Sequence, residues 1–301
     1  MADEAHEGSD HRDRVAVLGT GIMGSAMVRN LLSAGIPTTV WDRSEGATSS
    51  LGDLGAVVAD SAADAARGAA IVITMLPTAE IVASVLHDAG VAAAFSQGAV
   101  WAQMGTIGVS ETLEIARELG RSRPDVRFVD APVSGSKGPA EAGQLLILAS
   151  GPEEAAPVLE PVFAAIGRKT VWVGPAGQGS RLKLVVNAYL SFLVEGVAEA
   201  LELADRMGVD AKVLAETIEG GPLDAPLADA KLHKMESGDY SAEFPLEWAL
   251  KDVDLAISDG HAGDLPLLAA LSAQWRSAVE AGHGRQDVSA ARLAISRRGS
   301  P

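Results

Sequence analysis

Between residue 14 and about residue 174, short apolar runs alternate with amphipathic stretches. The runs fall at 14–18, 38–41, 70–75, 99–102, 126–129, 145–149 and 170–173. Between them, apolar positions recur at helical spacing over 25–34, 79–86, 110–119 and 153–166. Strands alternating with helices predict βαβ units, a mainly parallel sheet and right-handed crossovers. From 178 to 207 there is no proline, and helical periodicity is nearly continuous. A helix of about thirty residues is near 45 Å long, too long for one small domain. It is expected to join two domains and to offer surface to a partner subunit. Further helical stretches follow at 211–219, 227–234, 247–259 and 266–281, with no convincing strand. The pattern therefore predicts an α/β domain over 14–175 and an all-α domain over 176–301. The glycine-rich segment from Gly174 to Gly179 marks the boundary.

Composition sharpens this reading. The 301 residues are 48% hydrophobic and 21% charged, the balance of a soluble globular chain. The formal net charge of −16 argues against binding nucleic acid or an anionic membrane surface, which need a cationic face. An anionic small molecule needs only local positive potential. With no cysteine, disulfides, thiolate catalysis and cysteine-bound zinc are excluded. The six histidines are scattered, His6 and His11 near the N-terminus, so no metal site is expected. Residues 1–13 are polar without an apolar signal core and read as a disordered tail. No run reaches the roughly 18 apolar residues of a membrane span, and a cytoplasmic enzyme is the expectation.

The first apolar run, Val15-Ala16-Val17-Leu18, leads into Gly19-Thr20-Gly21-Ile22-Met23-Gly24 and then a helix. This is G-x-G-x-x-G in the strand–turn–helix setting that binds a dinucleotide, so the α/β domain is read as a Rossmann domain. Gly19 permits the tight turn, Gly21 lets the backbone approach a pyrophosphate, and Gly24 lets helix and strand pack closely. The helix N-terminus, at Ile22 and Met23, faces the phosphates. The second run ends in Asp42-Arg43-Ser44. An acid here serves the ribose of NAD, whereas an arginine here accommodates the 2′-phosphate of NADP. With Asp42 turned away, Arg43 and Ser44 can clamp that phosphate. NADP is the preferred cofactor and NAD the alternative. Met75, Leu76 and Pro77 end the run at 70–75 and can line the same trough.

Three segments carry candidate chemistry. The first, Phe128 to Ser136, runs from a strand into a small-residue turn at Ser134, Gly135 and Ser136, able to hold a carboxylate. In the second, Lys183 and Asn187 stand four residues apart on one helix face among Leu182, Leu184, Val185 and Val186. Partial desolvation makes such an ammonium a better acid, although the spacing alone equally fits a snorkelling lysine. In the third, Phe244 can wall an apolar pocket, and Lys251 beside Asp252 can reach the cofactor or form a solvated pair.

Taken in order, these motifs resemble the β-hydroxyacid dehydrogenase family over about residues 14–295. They are the glycine fingerprint, Thr74-Met75-Leu76-Pro77, Asp130-Ala131-Pro132-Val133-Ser134-Gly135, Gly179 with Lys183 and Asn187, and Lys251-Asp252. Ser134-Gly135-Ser136-Lys137 and Phe244-Pro245-Leu246 are similar to the NADPH-dependent glyoxylate/succinic semialdehyde reductases. The resemblance implies hydride transfer between NADP(H) and a small aldehyde, oxoacid or β-hydroxy acid, with Lys183 as proton donor. Asn187 would orient that lysine or the substrate, and Ser134 and Gly135 would hold the carboxylate. Thr106 would contact cofactor and substrate, Lys251 the cofactor, and Phe244 and Asp252 the pocket wall. The chain departs from the family at Gln103-Met104-Gly105-Thr106, where Asp-Met-Ser-Thr is common, and at Asp42, where the NADPH enzymes often have Asn. An imine reductase on the same fold and a non-catalytic cofactor-binding scaffold are the alternatives. A homodimer or higher homo-oligomer is expected, because the long helix is apolar around much of its circumference.

Overall fold

The computed structural model describes residues 14–296, so the tail expected at 1–13 lies outside the described residues. Packing divides the chain into two compact units, Met1–Lys183 and Leu184–Pro301.

The first unit is built on β1 (Val15–Leu18), α1 (Ile22–Ser33), β2 (Thr38–Trp41), α2 (Glu45–Gly52), β3 (Val57–Val58), α3 (Ala62–Ala66), β4 (Ile71–Thr74), α4 (Ala79–His87), α5 (Val91–Ala94), β5 (Val100–Gln103), α6 (Val109–Ser122) and β6 (Arg127–Asp130). The six strands form one sheet in the order β3-β2-β1-β4-β5-β6, every pair parallel. Strands β1 and β4 are buried throughout, because helices cover both faces of the sheet. Alternate residues of β1 enter opposite layers. Val15 and Val17 join Met27, Leu31 and Phe163, whereas Ala16 and Leu18 join Val72, Trp101 and Phe128. Strand order reverses between β1 and β4, which opens a crevice beyond their carboxyl ends.

The remaining elements of this unit correct the expectation of a single sheet. The segment β7 (Val133–Ser134), α7 (Lys137–Glu141), β8 (Leu145–Ala149), α8 (Ala156–Ile166) and β9 (Gly167–Trp172) carries a separate three-stranded sheet. Strand β7 pairs antiparallel with β8, and β9 pairs parallel with it. The residues read as a plain turn at Ser134 are thus partly a strand, with Ser134 opposite Leu146. Two residues are too few to show periodicity. An antiparallel bridge between Asp130 and Ser150 ties the two sheets together.

The second unit contains most of α9 (Gln178–Met207), then α10 (Ala211–Ile218), α11 (Pro226–Ser237), α12 (Leu246–Asp259), α13 (Pro266–Ala278) and α14 (Arg292–Ser296). Helix α13 runs on as a π-helical turn, Val279–His283, where Gly282 adopts a φ of 94°. By length and composition α9 could cross a membrane. Its face at Val194, Ala198 and Leu201 is instead fully buried in the core of this unit, against Leu232, Val253 and Trp275. Val185, Tyr189, Leu203 and Met207 remain exposed on the same helix.

A buried ion pair braces the helical unit. Lys231 Nζ lies 2.9 Å from Asp287 Oδ1, and both side chains are buried. Asp287 also accepts the backbone N–H groups of Glu243, Phe244 and Ser289. Burial by itself would raise the Asp287 carboxyl, but the Lys231 ammonium and the hydrogen bonds outweigh it and hold the pKa below 3.8. A depressed carboxylate contributes stability that is present above its unfolded value and lost as pH falls through its folded value. Asp287→Ala is therefore expected to cost about 3–5 kcal/mol at neutral pH, the range for removing one partner of a buried pair. The cost should shrink when chemical denaturation is repeated below pH 3.8. A variant within 1 kcal/mol of wild type at pH 7, by the same measurement, contradicts this role.

Candidate active site

The glycine turn after β1 is held from three sides. Gly19 adopts a φ of +97°, which disfavours any side chain. A Cβ on Gly19 would sit 2.5 Å from the Met75 carbonyl oxygen, and one on Gly24 would sit 2.0 Å from the Gly19 carbonyl oxygen. Both glycines are demanded by the protein's own packing. Gly21 is different. It is exposed, its φ of −64° suits any residue, and a Cβ there would meet nothing within 4 Å. Its lack of a side chain therefore has no cause within the first unit. The open space lies at the start of α1, whose N-terminus no side chain caps. The first N–H groups of α1, at Ile22 and Met23, beside the room left at Gly21, suit a pyrophosphate.

Asp42, at the end of β2, folds its carboxylate onto this turn. Thr20 donates its backbone N–H to Oδ2 at 2.7 Å, and Ser44 donates its own to Oδ1 at 2.9 Å. Both oxygens are thus engaged within the protein. Arg43 and Ser44 are exposed beside it, and the Ser44 hydroxyl does not cap α2, which begins at the next residue.

The ends of β4 and β5 close the floor. Met75 donates its N–H to Leu18 O, and the half-buried Pro77 follows the buried Leu76. A Cβ on Gly105 would stand 2.2 Å from the Leu76 carbonyl oxygen, so no serine fits there without a shift of backbone. The buried Gln103 uses the room. Its Nε2 donates to Gly105 O at 2.8 Å, and its Oε1 accepts Gly105 N–H at 2.9 Å. The departures at Gln103 and Gly105 are thus one structural unit, a carboxamide clamp immediately before the half-buried Thr106.

The last strand of the large sheet ends at Asp130, which is fully buried. Its Oδ2 accepts the backbone N–H of Gly177 at 3.1 Å, that of Ser180 at 2.9 Å and the Ser150 hydroxyl at 3.0 Å. Its Oδ1 accepts the Ser180 hydroxyl at 2.8 Å. Ser150 Oγ in turn accepts Gly179 N–H at 2.9 Å. Three backbone donors at the start of α9 are satisfied by this Asp–Ser pair. Burial pushes the carboxyl above the usual carboxylate range, and the hydrogen bonds from Ser180, Ser150 and Gly177 pull against it. Sequence reasoning carried Asp130 only as part of a motif. Forty-seven residues separate it from Gly177, and no local pattern announces the contact.

One turn beyond Ser180 stands Lys183, 9% exposed. Asn187 follows one turn later on the same helix, 2% exposed. Asn187 Nδ2 donates to Asp252 Oδ2 at 2.5 Å, which fixes the direction of the amide and leaves its Oδ1 buried without a partner. Lys251 Nζ lies 2.8 Å from Asp252 Oδ1, with only about a fifth of the lysine side chain exposed, so this is no solvated pair. Phe244 is half-buried on the helical core, its N–H held by Asp287. Ser134 is half-buried on β7, and the half-buried Ser136 starts α7 without capping it. Between them Gly135 has a φ of +136° and no room for a side chain beside Leu145. Among the described residues no group of three or more His, Asp or Glu is placed to hold a metal ion.

Comparison with known proteins places this arrangement. Residues 14–174 match the model for the NAD binding domain of 6-phosphogluconate dehydrogenase. Residues 177–294 match the model for the NAD-binding of NADP-dependent 3-hydroxyisobutyrate dehydrogenase. The chain belongs to the β-hydroxyacid dehydrogenase family. Glyoxylate/succinic semialdehyde reductase 1 of Arabidopsis thaliana is 34% identical over 92% of this chain and 96% of that protein. The structure of a 3-hydroxyisobutyrate dehydrogenase from Salmonella typhimurium superposes with a TM-score of 0.85 at 28% identity, covering 93% of this chain and 99% of the other. A 3-hydroxyisobutyrate dehydrogenase of Mycobacterium tuberculosis gives 0.83 at 28% identity over 94% and 99%. This β-hydroxyacid dehydrogenase is an NAD(P)-dependent oxidoreductase, as its sequence motifs led one to expect.

The two kinds of glycine separate fold from binding. Gly21→Ala is expected to melt within 2–3 °C of wild type, because the added methyl group meets nothing, yet to bind dinucleotide about tenfold or more weakly. Gly24→Ala is expected to lower the melting temperature or abolish folding outright. Thermal melting and fluorescence titration with dinucleotide check both, and undiminished binding by Gly21→Ala would remove the cradle argument.

Proposed function

We propose that this enzyme transfers a hydride between NADP(H) and a short aldehyde or oxoacid bearing a carboxylate, with Lys183 delivering the proton. The observation that carries the reading is a nine-tenths-buried lysine one turn from Asn187, whose amide is directed by Asp252. When bound, the nicotinamide supplies or takes the hydride. The carbonyl oxygen gains negative charge as the reaction proceeds, and a buried ammonium stabilises that charge before giving up its proton. Asn187 Oδ1, buried and without a partner, accepts a hydrogen bond from the substrate hydroxyl or from the ammonium. Ser134, Gly135 and Ser136 supply hydroxyl and backbone N–H donors for the carboxylate. Glyoxylate and succinic semialdehyde, named in the Arabidopsis relative, and 3-hydroxyisobutyrate, named in the structural relatives, set the substrate class.

Preference for NADP rests on Arg43 and Ser44. Asp42 spends both oxygens on Thr20 and Ser44, while Arg43 and the Ser44 hydroxyl stay exposed at the start of α2. Assembly as a homo-oligomer rests on the exposed apolar stripe of α9, Val185, Tyr189, Phe192, Leu203 and Met207.

A panel of short oxoacids and semialdehydes, assayed by cofactor absorbance with NADPH and NADH in parallel, tests the reaction. Turnover should appear on a carboxylate-bearing aldehyde and be faster with NADPH at low cofactor. Absence of turnover on the whole panel, with cofactor bound, contradicts the reading. Arg43→Ala is expected to raise the KM for NADPH at least tenfold and that for NADH less than twofold, as for the loss of a charge-assisted contact to phosphate. Equal effects would show that Arg43 does not face that phosphate.

A further inference from the structure

The mechanism above uses Lys183 but leaves unexplained why a lysine on a thirty-residue helix should hold one position. Lys183 stands in the second turn of α9, so its position depends on how the first turn is held, and the first N–H groups of the helix need acceptors. Both needs are met at one place. Asp130 and Ser150 end or follow strands of two different sheets and are joined by a backbone bridge, Asp130 N–H to Ser150 O at 2.9 Å and Ser150 N–H to Asp130 O at 2.7 Å. Their side chains then receive Gly177, Gly179 and Ser180. A Cβ on Gly179 would lie 2.3 Å from the Leu148 carbonyl oxygen, so the helix start is pressed against the strand that follows β7. The Ser180 hydroxyl is also 3.2 Å from that of Thr112 on α6. The first turn of α9 is therefore held at Ser180, and Lys183 lies three residues on, less than one full turn away. All four contacts to the Asp130 carboxylate are donors, an environment made for two acceptor oxygens.

We infer that Asp130 is a positioning residue for the reaction: from the end of β6 its buried carboxylate grips the first turn of α9 and sets where Lys183 delivers its proton. This rests on Lys183 being the proton donor. The same Asp130–Ser150 pair serves both sheets, so the first turn of the helix is tied to the Rossmann sheet within the first unit. Asn at this position keeps the shape but gives up the charge: its oxygen can face Gly177 and Ser180 only as a neutral acceptor, with its N–H₂ on the Ser180 hydroxyl, so the grip is weakened without opening a cavity. A misplacement of about 1 Å can cost a hundredfold in rate.

The experiment is a double-mutant cycle of Asp130→Asn with Lys183→Ala, kcat being normalised to folded, cofactor-binding sites by dinucleotide titration. With Lys183 present, D130N is expected to lower kcat about ten- to a hundredfold. With Lys183 already removed, D130N is expected to change the residual rate less than threefold, since groups that act as a unit are not additive. Amide-hydrogen exchange over residues 177–184 should quicken in D130N. The same loss of kcat in both backgrounds, or unchanged exchange, overturns the inference and leaves Asp130 a residue of the fold alone. Should D130N not fold, Ser180→Ala removes one donor from the carboxylate and is expected to lower kcat three- to tenfold with Lys183 present and not without it. Equal loss in both backgrounds again overturns the inference. Wild-type protein that binds dinucleotide but turns over no carbonyl would instead sink the hydride-transfer reading, a distinct failure.

Discussion

A thirty-residue helix begins with backbone donors that nothing in the helix can satisfy, and in this protein a single buried carboxylate takes two of them, Gly177 and Ser180, while its partner Ser150 takes Gly179. Asp130 receives Gly177, Ser180 and two serine hydroxyls while wholly removed from solvent. Desolvation opposes the charge and pushes the carboxyl up, and hydrogen bonds to a charged acceptor, about 1.5–3 kcal/mol each, offset only part of that opposition. The consequence is geometric. The last strand of the dinucleotide-binding sheet, the second sheet and the start of α9 meet in one polar knot, and Lys183 inherits its placement from it along the helix. The rest of the second unit packs on the buried face of the same helix.

A similar economy governs the cofactor turn. Gly19 and Gly24 answer to the protein, the first to the Met75 carbonyl and the second to Gly19 itself. Gly21 answers to nothing in the chain. The contrast is informative because a glycine kept where a side chain would fit points outward, to what must come close. Gly105 illustrates the opposite case. It looks like the loss of a substrate-contacting serine, but the Leu76 carbonyl leaves no room for one, and Gln103 closes the loop through the amide it exposes. The substitution from the family pattern is thus a repacking of the loop ahead of Thr106.

Much of this was legible in the sequence where local physics decides. Strands buried on both faces read as unbroken apolar runs, so β1, β4 and β5 were found almost to the residue. The proline-free stretch gave α9 its full length. Elements of two to five residues, such as β3, β7, α3 and α7, were missed, because none is long enough for its period to repeat. The division into two sheets was missed for the same reason, since it turns on two residues of β7. In the site, the cofactor glycines and the Lys183–Asn187 face follow from spacing. The Asp252–Asn187 bond, the Lys231–Asp287 pair beneath Phe244 and the Asp130 knot join residues tens of positions apart, and no spacing rule reaches them. Whether Lys251 was solvated could not be read either, because exposure depends on its neighbours in space.

The central claim is that a buried lysine, held by the start of its helix, is the acid that completes hydride transfer. It is tested most directly by single-turnover oxidation of enzyme-bound reduced dinucleotide on mixing with the best aldehyde, in wild type and Lys183→Ala, at equal cofactor occupancy. The account expects the variant to bind cofactor normally and to transfer hydride about a hundredfold or more slowly, the lower range for general acid catalysis. Lys183→Arg should be no better, because a guanidinium holds its protons at any accessible pH. A folded, cofactor-loaded Lys183→Ala enzyme that transfers hydride within tenfold of wild type would contradict the account, and the proton would have to come from elsewhere.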